Sequence, residues 1–155
     1  MTFDEAFDML LGHEGGLSRD PTDRGGVTKY GISQASYPEE DIPNLTRARA
    51  KEIAFRDFWE KAQCPVFPVA LRFDLFDMAY NSGPSAAIKT MQRALRVVED
   101  GVVGPKPLFA ASFYRSELTL ARFNGARLLY MTNAPTWRHH GRGWAVRVAT
   151  NLLEL

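Results

Sequence analysis

The segment 69–80 carries Val69, Ala70, Leu71, Phe73, Leu75, Phe76, Met78 and Ala79, which places apolar side chains almost all the way round a helix of 3.6 residues per turn. A helix of that kind belongs in the middle of a folded unit, so the rest of the chain has to wrap it. Pro68, with no amide hydrogen to donate, is suited to open it. Its one polar stripe is Asp74, Asp77 and Asn81, spaced three and four residues apart. Inside a central helix such groups either pair internally or face a solvated cleft. We expect Asp74 and Asp77 to pair internally, with Arg72 or Arg93, and Asn81, at the helix end before Ser82-Gly83-Pro84, to contact substrate.

The chain begins with a second clear helix. Phe3, Ala6, Phe7, Leu10 and Leu11 recur on one face, Asp4, Glu5 and Asp8 on the other, which is an amphipathic pattern. Thr2 and Glu5 have the spacing of a capping box, and Gly15-Gly16 stops the helix. The next position of the apolar stripe is 14, where the chain has a glutamate. A carboxyl group held there loses water, and its pKa rises; that is a route to a general acid near neutral pH, the other reading being a glutamate that swings into solvent at a frayed helix end. Asp23 and Gly25-Gly26 then lead into the alternating run 27–33, which reads as a short hairpin with a glycine-bearing turn near 23–26. A glutamate at a helix end and an aspartate on a hairpin can face each other across a cleft. Glycoside hydrolysis needs that arrangement, one carboxylic acid protonating the leaving oxygen and a carboxylate opposite it activating water or attacking the sugar.

Further along, 35–44 with Pro38 and Pro43 is a loop, either a surface connection or the rim of a cleft. Thr46 caps a helix to about 62 whose inner face holds Ala54, Phe55, Phe58, Trp59 and Ala62; the Trp59 ring could stack on a sugar, but on so regular a stripe it is expected in the core. Ser85 is expected to cap a helix to about 98, with Ile88, Met91, Leu95 and Val98 inward. Turns at Asp100-Gly101 and Gly104-Pro105 precede a short helix. A long helix over 116–133 puts Leu118, Ala121, Gly125 and Leu128 on one face, with Gly125 explained by a close helix contact. The stretch 137–143, with Trp137, Arg138, His139, His140 and Arg142, reads as a basic, irregular surface loop. Two adjacent histidines without further spaced ligands do not make a zinc site. Trp144, Val148, Ala149 and Leu152 mark a closing helix.

With 155 residues the chain can bury the core of one domain. A formal net charge of +1 gives no strong field for nucleic acid. Cys64 is the single cysteine and is expected as a buried thiol. There is no apolar run long enough for a membrane span and no secretory leader pattern. Neither a cofactor nor a metal is implied.

The run Glu14-Gly15-Gly16, Asp20-Pro21, Asp23, Gly25-Gly26, Thr28 and Tyr30-Gly31-Ile32 resembles the signature of glycoside hydrolase family 108, the phage-type N-acetylmuramidases (lysozymes, endolysins). The resemblance continues through Trp59, Phe73-Asp74, Asn81-Ser82-Gly83-Pro84 and the Asp100 to Pro105 turns. Two positions depart from it: Leu17 replaces an aromatic residue, and Lys106-Pro107 follows the Gly-Pro pair. The resemblance implies a mainly α, lysozyme-like α+β single domain over 1–155 with one small β-hairpin beside the active-site cleft. The part from about 85 to 155 is similar to peptidoglycan-binding helical modules but is not separately linked. The implied activity is cleavage of the β-1,4 bond between N-acetylmuramic acid and N-acetylglucosamine in peptidoglycan. In it, Glu14 is the general acid, Asp23 the base that positions water and Thr28 a hydroxyl near the anomeric carbon; Tyr30 and Asn81 bind substrate. Asp20 is the alternative to Asp23, and an inverting course is expected. The rival reactions are a lytic transglycosylase on the same bond and a non-catalytic peptidoglycan-binding or secretion-assisting protein. A monomer is expected, made in the cytoplasm and acting on periplasmic peptidoglycan after release or export, with no nucleic acid and no membrane insertion.

Overall fold

Helix α3 (Arg72–Ser82) is the axis of the molecule, with every residue from Phe73 to Ala79 buried. The structure, a computed structural model, describes residues 1–13, 17–18 and 26–153, with 13, 17 and 18 described by backbone alone. Pro68 precedes a single 3-10 turn, Val69–Leu71, and α3 proper starts behind it. α1 (Phe3–His13) lies against α3, with the Phe3 ring 5.8 Å from Phe76 and 5.6 Å from Trp59. Its capping box forms as expected: the Thr2 amide donates to Glu5 Oε2 at 2.7 Å and the Glu5 amide to Thr2 Oγ1 at 3.3 Å. α2 (Arg47–Ala54) is capped by Thr46, whose hydroxyl accepts from the Arg49 amide at 3.1 Å. It runs on into one π-helical turn, Phe55–Trp59, which leaves Trp59 and Ala62 buried but Phe55 exposed. α4 (Pro84–Ala94), α5 (Pro105–Phe113), α6 (Ser116–Thr132) and α7 (Trp137–Leu153) complete the wrap. The apolar core is continuous from Ala6 on α1 to Phe123 on α6. It includes Cys64, whose thiol burial pushes up to about 12.

The small sheet has three antiparallel strands in chain order, β1 (Leu17–Ser18), β2 (Thr28–Lys29) and β3 (Ile32–Ser33). Leu17 pairs with Lys29, and Lys29 in turn with Ile32. The run 27–33, expected as one strand, is therefore two strands reversed at Tyr30-Gly31. The architecture is the mainly α, lysozyme-like α+β fold that the sequence implies. No helix among the described residues is long and apolar enough to cross a membrane.

The polar stripe of α3 pairs internally, but with other partners than Arg72 or Arg93. Asp77 accepts from Arg127 Nη1 at 2.6 Å, Arg147 Nε at 2.7 Å and Asn151 Nδ2 at 3.0 Å, and Asp74 accepts from Asn124 Nδ2 at 2.7 Å. Arg127 is 0% and Asp77 1% exposed. Burial alone would push the Asp77 carboxyl up; the two guanidiniums outweigh it and hold it below the usual aspartate range. At Asp74 burial wins and the carboxyl is raised. Arg72 instead donates to the carbonyls of Phe67 and Pro65, and Arg93 pairs with Glu99 at 2.7 Å.

That network explains the first of several departures from the periodicity. α6 turns Leu120, Phe123, Asn124, Arg127 and Met131 inward, and Leu118, Ala121 and Gly125 face solvent. The interior face of α6 was hidden because it carries the amide and guanidinium that the α3 carboxylates require. Gly125 has nothing within 4 Å of a would-be Cβ, so no close helix contact explains it. Gly83, not Ser85, caps α4, which ends at Ala94; Arg96 then reverses the chain at φ 58°, and Val98 points to solvent. The stretch 137–143 is the start of α7 rather than a loop. Within α7 it is Gly141, Arg147, Val148 and Asn151 that are buried, with Leu152 exposed. Gly141 is required there, because a Cβ would stand 2.6 Å from the Trp137 ring.

Asp77→Ala strands two buried guanidiniums and should cost about 3–5 kcal/mol, read by urea unfolding at pH 7. Because Asp77 is depressed in the folded state, its contribution is present above the unfolded aspartate value of about 3.9 and is lost as pH falls through the lower folded value, so the gap between wild type and variant should close in acid. Gly141→Ala should lower the thermal midpoint through overpacking, about 1–3 kcal/mol. Gly125→Ala and Gly143→Ala, both with open space, should each raise stability by roughly 0.5–1 kcal/mol through helix propensity.

Candidate active-site cleft

The β2–β3 turn places two consecutive residues at positive φ, Tyr30 at 54° and Gly31 at 80°, the backbone of a tight hairpin turn whose twist matches its strands. Glycine takes this conformation freely; tyrosine does so at a cost. What holds it is α3: Tyr80 Oη donates to the Tyr30 carbonyl at 2.6 Å. The last turn of α3 is thereby tied to the hairpin, and between them lies a cleft of about 370 Å³.

One side of the cleft is aromatic. Tyr80 packs on Phe58 with ring centroids 4.7 Å apart, and both line the cavity with Tyr37. Tyr37 Oη donates to Asp57 Oδ2 at 3.1 Å. Asp57 is held well below the usual carboxylate range by Arg56, which donates to it, and by Lys61 at 2.7 Å, against the opposing effect of partial burial. Burial, reinforced by the Asp57 charge, pushes the Tyr37 phenol up, so it stays a protonated donor. The other side is polar: Thr28, Ser33, Ser36 and Asn81. Ser33 Oγ donates to Ser36 Oγ at 3.0 Å, and Asn81 Oδ1 accepts from Ser82 Oγ at 3.2 Å. Flat apolar rings opposite hydroxyls and an amide suit a ligand with an apolar face and a rim of hydroxyls, as a pyranose has.

Of the residues singled out in the sequence, Thr28 and Asn81 come together as lining of this one cleft, although they are far apart in the chain. Tyr30 is in the turn, its ring under Lys29 at 5.6 Å, and supplies its carbonyl to Tyr80. Glu14 and Asp23, like Asp20, lie outside the described residues; Glu14 follows directly on the last residue of α1 in the chain. The sequence reading missed Tyr37, Phe58 and Tyr80. Tyr37 is the one aromatic residue of 35–44, a signal that favours cleft rim over plain connection. Phe58 and Tyr80 sat on stripes that read as core throughout. Among the described residues no group of three or more His, Cys, Asp or Glu is placed to hold a metal ion.

Comparison with known proteins bears on the same region. Residues 7–83 match the family model described as Glycosyl hydrolase 108, which stops where α3 ends. No curated protein sequence matches. Among solved structures, Brucella abortus SagA is similar over 98% of this chain and 92% of its own, with a TM-score of 0.90 and 28% identity.

Tyr80→Phe removes the tie between α3 and the turn. It should speed amide exchange in a peptide covering 26–36 by roughly fivefold, the equivalent of about 1 kcal/mol for one hydrogen bond, with the exchange of α3 itself unchanged in mass-spectrometric readout.

Proposed function

We propose, on the premise that this chain belongs through residues 7–83 to glycosyl hydrolase family 108, that it is a peptidoglycan hydrolase cleaving the β-1,4 bond between N-acetylmuramic acid and N-acetylglucosamine. Family membership supports a glycoside hydrolase acting on a glycan. The observation that carries the finer reading is the cleft between the α3 end and the β2–β3 hairpin, aromatic on one side and lined on the other by Thr28 and Asn81.

In this reading Glu14 gives its proton to the glycosidic oxygen, and Asp23 activates or positions water on the opposite face of the sugar. Thr28 presents a hydroxyl near the anomeric carbon. Asn81 hydrogen-bonds the sugar, and Tyr30 fixes the hairpin through Tyr80. The protein acts as a monomer, made in the cytoplasm and meeting periplasmic peptidoglycan after release or export.

Product analysis on purified peptidoglycan tests it. Wild type should yield reducing muramic ends. Glu14→Gln should lose about 10²–10⁴-fold in kcat, the usual worth of a positioned acid, and Asp23→Asn should lose activity where Asp20→Asn does not. Anhydromuramyl ends would replace this reading by a transglycosylase, and unchanged turnover in Glu14→Gln would remove Glu14 from the reaction.

A further inference from the structure

The polar groups that line the cleft between the end of α3 and the hairpin are of two kinds. Ser33 is bonded to Ser36 through both its hydroxyl proton, at 3.0 Å, and its oxygen, which accepts from the Ser36 amide at 3.3 Å. Ser36 keeps its own proton, and the 3.5 Å from Thr28 Oγ1 to the Gly26 carbonyl is too long to hold that hydroxyl. Both rotate to serve a ligand as donor or acceptor, so they discriminate little. Tyr37 and Asn81 are fixed. A phenol has one proton, and that of Tyr37 goes to Asp57 Oδ2 at 3.1 Å. Arg56 and Lys61 keep Asp57 ionised, so it accepts only. Toward a ligand the Tyr37 oxygen is therefore an acceptor. Asn81 has the opposite polarity: its Oδ1 accepts from Ser82 Oγ at 3.2 Å, which orients the amide, and among the described residues its Nδ2 meets no acceptor. The rings of Phe58 and Tyr80, with centroids 4.7 Å apart, add an apolar surface. No described side chain lining the cleft is charged.

We propose that Asn81 and Tyr37 together read a secondary amide, the 2-acetamido group of the sugar: Asn81 Nδ2 donates to its carbonyl, Tyr37 Oη accepts from its N–H, and its methyl packs on Phe58 and Tyr80. This rests on the reading of the cleft as a glycan site and adds to it the substituent that the cleft selects. One donor, one acceptor and a small apolar surface without charge are the complement of an amide that carries a methyl. A hydroxyl on the same carbon satisfies Tyr37 alone. A free ammonium brings only protons, so it meets the Asn81 donor with another donor and gives up water to an uncharged wall. Discrimination of this kind comes from the polar groups that a wrong ligand leaves unpaired.

Isothermal titration of the full chain tests it, with the β-1,4-linked tetramers of N-acetylglucosamine, glucosamine and glucose as probes. Exchanging acetamido for hydroxyl removes one hydrogen bond, about fivefold, and one methyl, about fourfold, so the glucose tetramer should bind roughly twentyfold more weakly than the acetylated one. The glucosamine tetramer should be weaker still. Tyr37→Phe keeps the ring and removes the acceptor; it should weaken the acetylated and glucose tetramers about fivefold each and leave their ratio unchanged. Asn81→Asp, of the same shape, puts an ionised acceptor where the donor was and should reverse the order, with the glucosamine tetramer bound more tightly than the acetylated one. Equal affinity for the acetylated and glucose tetramers, no binding of the acetylated tetramer, affinities unmoved by Tyr37→Phe, or an order that survives Asn81→Asp overturns the proposal. Peptidoglycan cleavage followed beside these titrations separates the two readings. Acetyl selectivity carried by Asn81 in a protein that cuts no glycan would sink the hydrolase reading alone. Glycan cleavage by a protein whose affinities ignore the acetyl group would sink this inference alone.

Discussion

A carboxylate in the centre of a protein is tolerable only where cations are brought in to meet it, and Asp77 sets that condition for this chain. It sits on the most buried helix and draws Arg127 from α6 and Arg147 and Asn151 from α7. Those two helices cannot slide or rotate on α3 without breaking charge-assisted bonds, so the C-terminal half is indexed to the helix whose last turn builds the cleft. Apolar packing supplies most of the driving force for such an assembly, but it is weakly directional. The pairing is what selects one registry, and it does so at two helices at once.

The cleft depends on that same helix from its other end. Tyr80 connects α3 to a turn whose tyrosine occupies a costly backbone region, and Phe58, Tyr37 and Asp57 extend the contact into the π turn and the loop before α2. Three segments distant in the chain thus present one surface. A rigid wall of this kind lets hydroxyl and amide groups be held ready for a ligand instead of being ordered when it arrives.

What could be read from the sequence was what neighbouring residues decide. The α1 capping box, the Thr46 cap, the burial of Trp59 and Cys64 and the central position of α3 are all local or periodic signals, and all appear in the structure. Thr28 and Asn81 were picked out for separate reasons and lie on the same cleft. What could not be read required knowing a partner. The interior face of α6 contains Asn124 and Arg127 and looks like a solvent face until Asp74 and Asp77 are opposite it. Gly141 and the tandem histidines look like loop until the Trp137 ring explains the glycine. The run 27–33 alternates as a strand does, and the positive φ of Tyr30 and Gly31 divides it. Tyr80 and Phe58 show the complementary difficulty: a residue can be both core and cleft wall, and periodicity reports only the first.

The π turn at Phe55–Trp59 has a bearing on how this chain should be compared with its relatives. Bonds from each amide to the fifth residue back fit one more residue into the turn than an α-helix holds. Every position after it therefore points where its predecessor would point in an unbroken helix. Phe58 at the cleft and Trp59 in the core are the last two residues of that turn. A relative lacking the extra residue would reach the same two places with aromatics numbered differently, so residues aligned without a gap across this turn would be matched by letter and mismatched in space.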